Sequence, residues 1–93
     1  MPTLTPEQAR ANLAELPGWE LVDNAITRTF KFTDFAEAIA YVVRLGFAAE
    51  AADHHPDIDV RYKKVTLTYS THSEGGLTEK DFAGAETATK LAG

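Results

Sequence analysis

A chain of 93 residues with 44% hydrophobic side chains and a formal net charge of −5 is the size of one domain, spanning residues 1–93, with a single core and much of its surface left wet. The acidic balance excludes a function dominated by attraction to nucleic-acid phosphates, which needs a basic face; the local cluster Arg61, Lys63 and Lys64 is too small to reverse it. The lack of cysteine excludes disulfides, thiolate nucleophiles and Cys-containing zinc sites.

In chain order, Thr5-Pro6-Glu7-Gln8 predicts a helix start, with a threonine cap, proline at the first helical position and Gln8 placed to close a capping box. This helix runs to about Leu16, where Pro17-Gly18 stops it. Trp19 to Val22 reads as a strand, Asp23-Asn24 as a turn, and Ile26 to Phe32 as a second strand, with Ile26, Phe30 and Phe32 on one parity and Thr27, Thr29 and Lys31 on the other. From Thr33 or Asp34 the period changes to that of a helix. Phe35, Ile39, Val42, Val43 and Phe47 share one face running towards Asp53. Ala48, Ala49, Ala51 and Ala52 make its second half rich in small side chains. They either admit a neighbouring helix at close range, as in self-association, or simply reflect alanine's helix propensity.

His54-His55-Pro56 is expected to end this helix, because a residue before proline is pushed out of the helical region. Ile58, Val60 and Tyr62 then alternate with Asp57, Asp59 and Arg61, and Val65, Leu67 and Tyr69 with Thr66, Thr68 and Ser70. They make two strands joined by a tight hairpin around Tyr62-Lys63-Lys64. After a loop containing Gly75-Gly76, Thr78-Glu79-Lys80-Asp81 opens a last helix reaching nearly to Gly93. The order α-β-β-α-β-β-α predicts an α+β domain, a four-stranded antiparallel sheet with helices on one face and the other face open. No segment reaches the ~18 consecutive apolar residues of a membrane span, and Met1-Pro2-Thr3-Leu4 lacks a signal-peptide pattern. A soluble cytoplasmic protein is expected.

All three histidines fall at two places, the end of the long helix and the end of the last strand. His72 continues the polar parity of Thr66, Thr68 and Ser70, so a strand extending that far carries it on the open face. His54 and His55 sit at a helix C-terminus, where the macrodipole favours imidazolium. From a starting pKa near 6.5, such groups both give and take protons near neutral pH. Glu50 and Asp53 lie on the same side of the helix as His54, where a carboxylate can orient an imidazole or meet a ligand's donor edge. An ordinary solvated helix end has the same composition. Three histidines and a carboxylate are also a conceivable metal set, but adjacent histidines diverge, unlike the i,i+4 pair of a zinc helix, and no metal is expected. Ser70 and Ser73 flank His72 too closely to promise a serine nucleophile.

The run Glu50-Ala51-Ala52-Asp53-His54-His55-Pro56, followed by Tyr62 and Val65, Thr71-His72, Gly76-Leu77-Thr78 and Asp81, resembles the pterin-4a-carbinolamine dehydratases. The likeness extends back to Gly18-Trp19 and to Phe30-Lys31-Phe32 with Asp34-Phe35. It implies dehydration of a 4a-hydroxytetrahydropterin to the quinonoid dihydropterin, recycling cofactor for an aromatic amino acid hydroxylase, with no metal or organic cofactor. His54, His55 and His72 match the family's three active-site histidines. Asp53 and the run Ser70-Thr71-His72-Ser73 match its substrate-contacting segments, with Glu50 and Pro56 beside them. The His54-His55 side is expected to face His72 across the pterin. Trp19 is either a wall of the pocket or a core residue, and Asp81 chiefly a helix cap that also supports the site. The resemblance further implies dimers or tetramers packed through the long helix. It leaves one alternative, a non-catalytic partner-binding or assembly module on the same fold.

Overall fold

The computed structural model describes residues 3–71 and 74–93. The elements are α1 (Pro6–Ala14), β1 (Glu20–Val22), β2 (Ala25–Lys31), α2 (Phe35–Ala52), β3 (Asp57–Arg61), β4 (Lys64–Tyr69) and α3 (Glu79–Ala92). The four strands form one antiparallel sheet in the order β1-β2-β4-β3, the α+β architecture expected from the alternating periods. Among the described residues no helix is long and apolar enough to cross a membrane.

Local signals fix the helix starts. Thr5 and Gln8 close a capping box on α1, Thr78 and Asp81 close another on α3, and the Asp34 side chain accepts from the Glu37 N–H at the head of α2. Each cap satisfies amides that a helix end otherwise leaves without partners, at a gain of about 1 kcal/mol.

The strand alternation is equally direct. Ile26, Phe30, Val65, Leu67 and Tyr69 turn to the helices and are buried, and fully burying a side chain such as Ile26 or Leu67 contributes about 1.5–3 kcal/mol. On the opposite face, registered threonines pair across β2 and β4, Thr27 with Thr68 at 3.3 Å and Thr29 with Thr66 at 2.7 Å. Arg28 shares the apolar parity of Ile26 and Phe30. It escapes burial of its charge by donating to the Pro17 carbonyl and lying over the Phe30 ring.

Two expectations change. Tyr62 is not part of β3; it sits in the hairpin turn with a left-handed backbone (φ 54°) and is exposed. The apolar row on α2 does not face the sheet, since Ala38, Tyr41, Leu45 and Ala49 are the buried residues. Phe35, Ile39, Val43 and Phe47 are instead 51%, 38%, 53% and 75% exposed. The small residues Ala48, Ala49 and Ala52 line a cleft against the chain's own α3. Across that contact the Tyr41 hydroxyl donates to the Ala88 carbonyl at 2.8 Å, and burial raises the pKa of the phenol.

Candidate active site

How α2 ends decides where its histidines go. The helix stops at Ala52, because Asp53 takes a left-handed conformation (φ 53°, ψ 39°) and the His54 N–H turns back to the Ala49 carbonyl. A short polar side chain tolerates that region better than most non-glycine residues. The stop comes earlier than Pro56 alone requires, so His54 and His55 are outside the helix. The shared helical side expected for Glu50, Asp53 and His54 therefore does not form.

Instead each imidazole finds its own carboxylate. His55 Nε2 lies 2.7 Å from Glu50 Oε1, with the two side chains 55% and 81% exposed. His54 Nε2 lies 2.6 Å from Asp81 Oδ1, with side chains 13% and 0% exposed.

Asp81 is held from three sides. Its Oδ2 accepts from the Thr71 hydroxyl at 2.8 Å and from the Thr78 N–H at 3.0 Å, and Thr71 and Thr78 hydroxyls meet at 2.9 Å. Donors therefore converge on both oxygens of the Asp81 carboxylate. A ring hydrogen on His54 Nε2 satisfies that contact and leaves the Nδ1 lone pair able to accept a proton. Asp81 is thus both the cap of α3 and the partner of His54.

Tyr69 lies against the face of the His54 ring, with centroids 6.0 Å apart and planes inclined by 24°. Burial, then the charge of Asp81, pushes its phenol up to about 12. Sequence reasoning missed Tyr69 as a site residue, because it carries the apolar parity of β4 and so looks like core alone.

Other expected site residues take varied places. Ser70 and Thr71 border a hollow of about 350 Å³ at the end of β4, shared with Asn24, Gly75 and Gly76. The Thr71 side chain is buried and turned to Asp81, so its hydroxyl braces the site. Pro56 is half-buried and Asp53 exposed. Trp19 is a core residue. It is 5% exposed, its indole N–H donates to Thr89 at 2.9 Å, and among the described residues it meets the site through the Tyr69 ring. His72 and Ser73, the remaining two, lie outside the described residues. A second, mainly apolar cavity of about 140 Å³ lies between α2 and α3, with His54, Tyr69 and Lys80 on its wall. Among the described residues no cluster of three or more His, Asp or Glu side chains is arranged to hold a metal.

A small α+β domain with two carboxylate-backed imidazoles at one helix end has the form of an acid–base enzyme. Residues 2–91 match the family model described as pterin 4 alpha carbinolamine dehydratase. A protein of Chloroflexus aurantiacus, provisionally named a pterin-4-alpha-carbinolamine dehydratase, is 50% identical over 93 residues, covering 100% of both chains. One of Mycobacterium sp. (strain KMS), named likewise, is 53% identical over 81 residues, covering 87% of this chain and 86% of its own. The crystal structure of a transcriptional coactivator/pterin dehydratase from Brucella melitensis superposes with a TM-score of 0.94 at 41% identity, covering 98% of this chain and 99% of that one. The chain belongs to the pterin-4a-carbinolamine dehydratase family, a family of hydro-lyases. The fold alone is also shared, at a TM-score of 0.68 and 24% identity, with a pterin dehydratase-like protein identified as a RuBisCO assembly factor in the alpha-carboxysome.

Proposed function

We propose that this chain dehydrates a 4a-hydroxytetrahydropterin to the quinonoid dihydropterin and water by histidine general acid–base catalysis. In the cytoplasm this recycles a tetrahydrobiopterin-type cofactor for an aromatic amino acid hydroxylase. The observation that carries the reading is the His54–Asp81 pair, short, buried and braced by Thr71 and Thr78.

The reaction breaks the C4a–O bond, so the departing hydroxyl needs a proton and a ring nitrogen must lose one. His54 takes the ring proton on Nδ1, and Asp81 stabilises the imidazolium that results, as a buried aspartate does for the histidine of a catalytic triad. Protonation of the leaving oxygen falls to His72 across the ring or to His55; single substitutions separate the two. Asp53, Pro56 and Ser70 to Ser73 surround the substrate, with Glu50 holding His55. Positioned proton transfer contributes about 10²–10⁴-fold per group. The test is the decay of a 4a-hydroxytetrahydropterin followed spectroscopically. Acceleration that falls by about that factor in His54→Ala supports the reading, and no acceleration by the native protein overturns it.

The exposed row Phe35, Ile39, Val43 and Phe47 favours self-association through α2 into a dimer or tetramer, because contiguous exposed apolar surface on a small protein marks an interaction site. It is also the surface that a partner-binding module would use. Val43→Asp with Phe47→Asp should yield monomers in sedimentation analysis; an unchanged mass in the variant rules out this interface.

A further inference from the structure

Two glycines lie inside helices, and glycine is disfavoured there. Gly46 in α2 has open space where a Cβ would stand, with nothing within 4 Å. Gly84 in α3 has none. A Cβ built on it falls 2.5 Å from Cε1, 2.9 Å from Cζ and 3.1 Å from Cδ1 of Tyr69, the flank of a rigid ring.

Two further sides of the ring are taken by other ring systems. Trp19 stands behind it at 6.0 Å, itself packed edge-on to Phe30 at 6.1 Å and tied to α3 through Thr89. The next neighbour of Tyr69 is the His54 imidazole.

We propose that Gly84 is a positioning residue for His54: by admitting the Tyr69 ring hard against α3, it sets the platform on which the imidazole lies and hence the direction of Nδ1. The inference rests on the dehydratase reading for its catalytic consequence, but not for its geometry. A methyl at position 84 cannot share space with the ring as it stands, so Tyr69 must shift, and the surface beside the His54 imidazole shifts with it. Misplacement of a catalytic group by about an ångström costs up to about 10²-fold in rate.

The experiment compares Gly84→Ala with Gly46→Ala, reading the imidazole resonances of His54 and His55 by NMR alongside kcat, KM and the pH–rate profile. Gly84→Ala should shift the His54 signals through the altered ring current of Tyr69 and leave those of His55 in place. It should also lower kcat about 10- to 100-fold with a smaller change in KM, and displace the pH profile. Gly46→Ala should leave all of these at native values. Folded Gly84→Ala with native His54 resonances overturns the proposal, as does an equal effect from Gly46→Ala. If Gly84→Ala does not fold, Tyr69→Leu removes the platform without touching α3, and native His54 resonances in that variant overturn the proposal just as well. Lack of dehydratase activity in the native protein defeats the functional reading alone, since the NMR comparison still decides the positioning role.

Discussion

The two histidines at the end of α2 are neighbours in sequence and each meets a carboxylate at nearly the same distance, 2.6 Å for His54 and 2.7 Å for His55. Their surroundings differ in every other respect. The His54–Asp81 pair is enclosed, shares its carboxylate with Thr71 and Thr78, and is backed by Tyr69. The His55–Glu50 pair stands in solvent. Hydrogen-bond length therefore says little about what an ion pair contributes; desolvation and the number of competing donors decide it.

The strongest way to break this comparison is Asp81→Ala. It strands the His54 ring N–H and the Thr78 N–H and leaves the Thr71 hydroxyl to its Thr78 partner. Loss of about 2–5 kcal/mol in urea unfolding is expected, together with loss of activity. A variant as stable as the native protein would mean that water replaces the carboxylate. Asp81→Asn sharpens the contrast, because it keeps the shape and removes the charge. A fall in kcat of about 10²–10⁴-fold is expected, well out of proportion to any change in melting temperature.

The next effect is one of pH. Tyr69 titrates near 12 when folded against 10.0 when free, so between those values the unfolded chain has lost a proton that the native one retains. Stability is full below pH 10 and falls as the pH rises towards 12. Tyr69→Phe should make that part of the curve shallower, leaving the share that the buried Tyr41 phenol contributes, and Asp81→Asn should bring the Tyr69 phenolate transition to lower pH by removing the neighbouring charge. The smallest effect belongs to the exposed pair. Glu50→Gln should change stability by no more than about 0.5 kcal/mol and should lose even that at high salt. A larger loss would show that Glu50 is covered in the working assembly.

The sequence made much of this legible where the physics is local. Both capping boxes, the parity of β2 and β4, and the clustering of His54 and His55 follow from spacing within a few residues. What stayed hidden depends on distance or on choice between equals. The His54–Asp81 contact spans 27 positions, and nothing near either residue announces the other. The left-handed turn at Asp53 escaped notice because Pro56 offered a sufficient reason for the helix to end. On α2 two apolar sides compete, and periodicity alone cannot say which meets the sheet. Ala38, Tyr41, Leu45 and Ala49 fit beneath it, and the bulkier row is left outside. Tyr69 reads as strand core, and nothing in the sequence around Gly84 announces the contact between them.

The carboxylate of Asp81 gathers a loop after α2, the end of β4 and the first turn of α3. Three segments far apart along the chain thus share one anchor, and none can detach without stranding the others. Slow hydrogen exchange at the Thr78 amide should therefore report whole-molecule unfolding rather than fraying of α3. In this protein the His54–Asp81 arrangement and the cooperative fold should melt as a single event.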